Sequence, residues 1–260
     1  MSDILLWNAG AVGILMVTMW LISIARRDAS IVDIIWGMGF VVIAWVTWFR
    51  APLENRSLLL PVLMTIWGVR LSIHLGTRNI GKPEDFRYAA MRQKHGDRFW
   101  LVSLYTVFLL QGTIMWVVAL PVQMSAVAEP KTTWMTILGC GLWLIGLFFE
   151  TVGDIQLTGF RANPENAGKV LNHGLWRFTR HPNYFGDFCV WWGVYLIGIS
   201  CGAPVWTMVG PAVMSIFLLR ISGVTLLEKT LVAKRPAYVE YVQETNAFFP
   251  GPVRRRNSAE

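Results

Sequence analysis

The chain alternates long apolar runs with short charged blocks. The runs cover about residues 4–25, 31–49, 58–78, 100–126, 133–157, 184–201 and 204–228. Each is roughly 17 to 25 residues long, the length a helix needs to cross a hydrocarbon core of ~30 Å. Lipid offers no hydrogen bond to a bare backbone, so runs of this kind are expected to be helical. The pattern predicts an all-α polytopic membrane protein with seven transmembrane helices. The first run does not read as a signal peptide: it is long, it lacks a basic leading region, and Arg26-Arg27 follows it in place of a small-residue cleavage site. Pro121 interrupts the fourth run and predicts a kink or an end there.

Composition sharpens this reading. Of 260 residues 54% are hydrophobic and only 15% charged, against about 25% charged in a soluble domain. The segments 26–30, 78–98, 158–183 and 229–260 hold 18 Lys/Arg, whereas the alternating segments 50–57, 127–132 and 200–204 hold three. This bias predicts an N-terminus outside and a C-terminus in the cytoplasm, as an odd number of spans requires. The expected location is within a membrane, with the basic segments on its cytoplasmic side. The net charge of +7 is then topology and attraction to anionic lipid, and no nucleic-acid partner is expected. Cys140, Cys189 and Cys201 lack metal-ligand spacing, so no metal site is expected.

Ionisable residues within spans are expensive and point to function. They form stripes here. Trp67, Arg70, His74 and Arg78 recur at helical spacing on the third span, and Glu150 and Asp154 on the fifth. Tyr184, Asp187 and Trp191 do so on the sixth, Arg220, Val224 and Glu228 on the seventh, and Asp33 opens the second. A lattice of buried ion pairs that only sets helix register would also explain the stripes. The loops beside them argue for more. Arg78–Trp100 carries six Lys/Arg interleaved with Gly81, Phe86 and Tyr88. Thr158–Asp187 mixes Gly, Asn and Pro with Arg161, Lys169, Arg177 and Arg180. Turn-forming residues beside several cations suit a polyanionic ligand, although cytoplasmic loops lying on anionic lipid would hold the same cations. No GxGxxG follows a strand, which excludes a Rossmann domain.

The stretch "GLWRFTRHPNYFGDF" (Gly174–Phe188) resembles the C-terminal domain of the steroid 5α-reductase family, the 3-oxo-5α-steroid 4-dehydrogenases, and "RHPNYFGD" is similar to a motif of the sterol reductases. The likeness takes in "FFETVGDIQL" before it and "LEKTLVAKRPAYVEYVQETNAFFP" after it, roughly residues 145–250. More loosely, "SIVDIIWGMGF" and "WGVRLSIHLGTRN…EDFRY" look like a bacterial branch of the same superfamily. The resemblance implies a single membrane domain, with a substrate-cavity half (1–130) and a cofactor-binding half (131–260). It implies NADPH-dependent reduction of a double bond conjugated to a ketone, with a 3-oxo-4-ene steroid as the leading substrate. Residue by residue it places Asn183 and Asp187 at the nicotinamide, Tyr184 in the same cofactor site, and Asp154, Arg161 and Arg220 along the cofactor path. Arg78 falls at a phosphate-binding position, with Arg87, Tyr88, Lys169 and His181 close by.

Hydride addition to an enone builds negative charge on the ketone oxygen, and a donor aimed there lowers the barrier. In the family a Gln-Glu pair and a Tyr supply it. This chain departs from that pattern: Asp33, preceded by Val32, stands at the acid, and Trp67 at the Tyr. Asp33 would serve if burial kept it protonated, with His74 as its partner. The expected partners are a lipophilic enone arriving through the bilayer and membrane lipid, with the protein a monomer. A rival resemblance exists. The isoprenylcysteine and phospholipid methyltransferases, which use S-adenosylmethionine, share "RHPxYxG", an acid corresponding to Glu228, and tyrosines corresponding to Tyr238 and Tyr241 ahead of Pro250. A non-catalytic sterol-binding protein is a third alternative.

Overall fold

The computed structural model describes residues 2–221, 228 and 236–253. The described residues are helical throughout their regular structure and contain no strand. In chain order the helices are α1 (Ser2–Arg26), α2 (Ile31–Arg50), α3 (Leu59–Asn79), α4 (Phe86–His95), α5 (Phe99–Ser103), α6 (Leu110–Val118), α7 (Leu120–Met124), α8 (Trp134–Ala162), α9 (Pro182–Ser200), α10 (Val209–Ile216) and α11 (Pro236–Glu244). A π-turn, Leu104–Leu109, joins α5 to α6, and a second, Phe217–Ile221, follows α10.

Among the described residues five helices are long and apolar enough to cross a membrane: Asp3–Arg26, Ile31–Arg50, Leu59–Asn79, Phe86–Val118 and Trp134–Ala162. Seven were expected. The sixth run forms α9, 19 residues long, whose first turns carry Asn183 and Asp187 and so dilute its apolar character. The seventh is represented by Val205–Ile221, 17 residues; residues 222–227, with Val224 among them, lie outside the described residues. The fourth run breaks at Ala119, and Pro121 sits in the first turn of α7, where its missing N–H costs nothing.

The chain divides into two compact units: residues 1–135 with 197–210, and 136–196 with 211–260. In the first, α2 and α3 approach at paired glycines. A Cβ at Gly37 would lie 2.3 Å from the Gly68 carbonyl oxygen, and one at Gly68 2.5 Å from that of Gly37. Around this contact Phe40 stands edge-on to Trp36 and Trp67, with ring centroids 5.4 and 5.7 Å apart. Small residues of this kind let helix backbones touch where lipid provides no hydrophobic drive between helices.

The second unit repeats the device as a ladder. Gly139, Gly146 and Gly153 recur every seven residues on α8 and meet α9 running the other way. Gly193 packs on the Gly139 carbonyl, Gly186 on the Gly146 carbonyl and the Glu150 N–H, and Gly153 on Pro182 and the Asn183 N–H. A seven-residue spacing keeps one face in register along a helix pair. The ladder thus brings the Glu150–Asp154 face of α8 against the start of α9.

A methyl group added between α2 and α3 should be costly. Gly68→Ala is expected to lower stability in detergent by about 1–3 kcal/mol, the range for overpacking, as read by thermal or denaturant unfolding. Gly13→Ala, where nothing lies within 4 Å of the new Cβ, should be neutral or stabilising by up to about 1 kcal/mol.

Candidate functional site

Two polar clusters stand out, one in each unit. The first grows from the turn between α1 and α2. Helix α1 ends in a Schellman motif, with Arg27 N–H bonded to Ile24 O (3.2 Å) and Asp28 N–H to Ser23 O (3.0 Å). Arg27 occupies the left-handed position usually given to Gly, with φ 51°. Asp28 then accepts from the Ser30 backbone N–H at 2.9 Å and from the Ser30 hydroxyl, which fixes the entry to α2. Glu84 ties this turn to α4: it accepts from Ala29 N–H at 2.8 Å and is gripped by Arg92 at 2.9 and 2.8 Å.

Asp85 caps α4, accepting from Arg87 N–H at 3.0 Å and from Arg87 Nε at 2.8 Å. The cap aims the guanidinium outward along the helix, and Arg87 Nη2 reaches Asp33 Oδ2 at 2.7 Å. One residue on, buried Tyr88 donates its hydroxyl to Asp33 Oδ1 at 2.7 Å, and Gln111 Nε2 donates to the Tyr88 oxygen at 3.1 Å. Asp33 therefore accepts at both oxygens, as a carboxylate does. Its place in the first turn of α2 favours the same charge. The structure thus gathers Asp33, Arg87 and Tyr88 into one hydrogen-bonded group, although the sequence reading divided them between chemistry and cofactor. His74 is half-buried on α3 and Arg78 is exposed at its end, bonded through Nε to Asn79 Oδ1 at 3.1 Å.

The second cluster centres on the motif at the start of α9. Arg180 is 7% exposed and makes four hydrogen bonds through its guanidinium. Nε and Nη2 meet the two oxygens of Glu228 at 2.7 and 3.0 Å. Nη1 donates to Val242 O at 2.9 Å and Thr245 O at 2.7 Å, at the C-terminal end of α11. A cation on terminal helix carbonyls satisfies acceptors with no partner inside the helix. His181 Nε2 lies 3.1 Å from Glu228 Oε1, and its ring stacks on Tyr184. Asn183 Nδ2 donates to Asp154 Oδ1 at 3.0 Å, and Asn183 Oδ1 accepts from Tyr184 N–H. The segment after α11 is laced to the motif by Arg180 N–H to Asn246 O (2.9 Å), the Thr179 hydroxyl to Phe248 O (2.8 Å) and Gly251 N–H to Phe178 O (3.1 Å). The Tyr241 hydroxyl donates to Trp176 O, and Trp176 Nε1 to Gly153 O.

Among the remaining candidates, Arg161 and Lys169 are exposed on and after the end of α8, Asp187 is half-buried on α9, and Arg220 is exposed on the second π-turn. The sequence reading counted Arg180 only among the loop cations and left Glu84, Asp85 and Gln111 without a role. Arg180 was the most visible of these, a cation inside a motif whose acidic complement, Glu228, is also present. Gln111 gave no signal, because a lone amide in an apolar run marks no face.

Loss of the Arg180 fork should unlatch the C-terminal segment. Arg180→Gln is expected to cost about 3–5 kcal/mol, the range for removing one member of a buried pair, and to make residues 236–253 cleavable in limited proteolysis. Arg180→Lys should not restore the protection, since one ammonium cannot fill a two-pronged geometry.

Acid should loosen the α1–α2 turn. Burial acts to raise the Glu84 carboxyl, but hydrogen bonds from Arg92 and Ala29 N–H, with the Arg92 charge, hold it below the usual carboxylate range. A depressed acid lends stability that is complete above its unfolded value and is lost as pH falls through its folded value. The unfolding midpoint in detergent should therefore drop as pH is lowered from about 5 toward about 3, and Glu84→Gln should lessen that dependence.

Known proteins share parts of this chain. An uncharacterized protein of Schizosaccharomyces pombe is 22% identical over 89% of the chain and 75% of its own length. A probable O-methyltransferase of Ustilaginoidea virens is 40% identical over 19% of the chain and 17% of its own. The very-long-chain enoyl-CoA reductase of Dictyostelium discoideum is 30% identical over 31% of the chain and 27% of its own. Mouse 3-oxo-5-alpha-steroid 4-dehydrogenase 1 is 28% identical over 33% of the chain and 35% of its own. The chain thus spans about a third or less of each relative with a named activity. No solved structure matches it. The model of DUF1295, a family of proteins of unknown function, matches residues 19–245, nearly the whole chain, and the protein belongs to that family.

Proposed function

We propose that the protein is a membrane-embedded reductase that uses NADPH to saturate a carbon–carbon double bond conjugated to a carbonyl in a lipophilic substrate. The observation that carries this reading is the Tyr88 hydroxyl held 2.7 Å from Asp33. Saturating such a bond consumes one hydride and one proton, and a positioned phenol is a proton donor. Methyl transfer from a sulfonium to a carboxylate consumes no proton. Two of the relatives support the reading by name, one acting on an enoyl thioester and one on a 3-oxo steroid. The common element of those substrates is a conjugated carbonyl, and a 3-oxo-4-ene steroid is the first substrate to assay. The match to a probable O-methyltransferase keeps S-adenosylmethionine as the competing ligand.

The donor set of the second unit suits a dinucleotide. Asn183 and Asp154 together present amide hydrogens and carboxylate oxygens, the complement of a carboxamide. Arg161, Lys169 and Arg177, exposed at and beyond the end of α8, suit phosphates. His181, Tyr184 and Asp187 flank the pair along α9, and Arg78 and Arg220 add further cations. Arg180 is left out of this role, because Glu228 and two carbonyls take up four of its five N–H donors. When bound, NADPH supplies the hydride.

The residues of the first unit manage the proton. As charge builds on the carbonyl oxygen, Tyr88 turns its O–H about the Cζ–Oη bond and delivers the proton to that oxygen; the enol so formed gives up the O–H proton and takes one on its α-carbon, which completes the saturation. Arg87 stays on Asp33, so the departing hydroxyl leaves no unpaired carboxylate. Solvent protons then restore the phenol. The substrate's apolar body has a place in a cavity of about 320 Å³ lined by Ala9, Val12, Met16, Leu109, Gly112 and Trp116, between α1 and the α6 region, a size within the range of ligand pockets. We place the nucleotide site on the cytoplasmic side and take the protein to be a monomer.

Thermal unfolding of the detergent-purified protein should rise with NADPH, by the equivalent of about 2.7 kcal/mol at 100 times Kd, and not with S-adenosylmethionine. Asn183→Ala should abolish the rise. Tyr88→Phe should keep it and slow NADPH oxidation by an enone at least about 100-fold, with Asp33→Asn intermediate. Stabilisation by S-adenosylmethionine alone would sink the proposal.

A further inference from the structure

Gln111 has no part in the scheme above, yet the fold goes out of its way to present it. From α5 through α6 the residues Ser103, Val107, Gly112, Met115 and Val118 are buried, while Leu110 and Thr113 are exposed. An unbroken α-helix advances about 100° per residue. On that geometry Leu110 would point within about 20° of Ser103, and Gln111 would stand about 80° away. The π-turn changes the count. Leu110 N–H reaches back to Tyr105 O, so one extra residue is spent in the turn and everything after it swings back by about 100°. Leu110 moves to the outer face, where it is 51% exposed. Gln111 moves to within about 20° of the Ser103 direction and meets Tyr88.

What the amide does there follows from valence. A phenol oxygen has one hydrogen to give and two lone pairs. Tyr88 gives its hydrogen to Asp33 and receives one from Gln111 Nε2. A donor on the phenol oxygen stabilises the charge that grows there when the proton leaves. It also fixes where the remaining lone pair and the swinging hydrogen can point. We infer that Gln111 is a positioning residue for Tyr88: the π-turn presents its amide to the phenol oxygen, holding that oxygen in place while the O–H turns from Asp33 toward the substrate and stabilising it as the proton departs. The inference rests on the reductase reading for its chemistry and on the described contact for its geometry.

The test uses Gln111→Met, which keeps length and removes the donor, and Gln111→Glu, which sets an acceptor in its place. Both are compared in the full-length detergent-purified protein with NADPH and an enone. Gln111→Met should lower kcat about tenfold and enlarge the solvent deuterium isotope effect, with KM and the NADPH-induced thermal shift unchanged. Gln111→Glu should lower kcat further. A second readout is independent of turnover: with 3-fluorotyrosine incorporated at Tyr88, the fluorine-19 resonance should move between the parent and Gln111→Met. An unmoved resonance, or an unchanged kcat in an active enzyme, overturns the inference. So does a fall in kcat accompanied by equal losses in KM and thermal stability, which marks a structural role. A resonance that moves in a protein without NADPH-dependent turnover retains the Gln111–Tyr88 bond and rejects the reductase reading, and with it the positioning role.

Discussion

A charge set among apolar helices must find its partner within the protein, because the surrounding hydrocarbon supplies none. That constraint shapes both polar clusters. Arg180 answers it in full, with a bidentate carboxylate and two helix-end carbonyls around one planar cation. Asp33 answers it with a guanidinium and a phenol, and the guanidinium is itself aimed by a capping carboxylate. In each case a helix terminus supplies part of the solution, as terminal carbonyls of α11 for Arg180 and as the first turn of α2 for Asp33.

The two clusters are built for different tasks. Arg180 spends four of its five N–H donors on Glu228 and two carbonyls, so the most visible residue of the motif works as a fastener. Tyr88 is different. Its hydrogen sits on a carboxylate that Arg87 neutralises, so the hydrogen can leave without exposing a bare charge. One cluster keeps a segment in place, and the other is the one to which the proposed reaction assigns the proton.

Five of the seven expected runs could be read from apolar length, and the break in the fourth, at Ala119, from the nearby Pro121. The polar first turns of α9 were harder, because a run interrupted by Asn183 and Asp187 counts equally as span or as site. Within the candidate site, Asp33, Arg87 and Tyr88 were each noticed, yet their union was not legible. They lie 54 and 55 residues apart across α2 and α4, and no local periodicity links positions on different helices. The same holds for Arg180 and Glu228. Gln111 was hidden for a separate reason: helical spacing assumes a constant turn, and the π-turn before it resets the angle.

The contacts of Arg180 also set a schedule for assembly. Its partners at Glu228, Val242 and Thr245 follow it by 48, 62 and 65 residues. At a synthesis rate of about 5–20 residues per second, the last of them is made roughly 3–13 seconds after the arginine. During that interval the guanidinium must be tolerated at the membrane by water, lipid headgroups or the insertion machinery. Maturation of this half of the protein is thereby tied to the end of translation rather than to the insertion of its first helices.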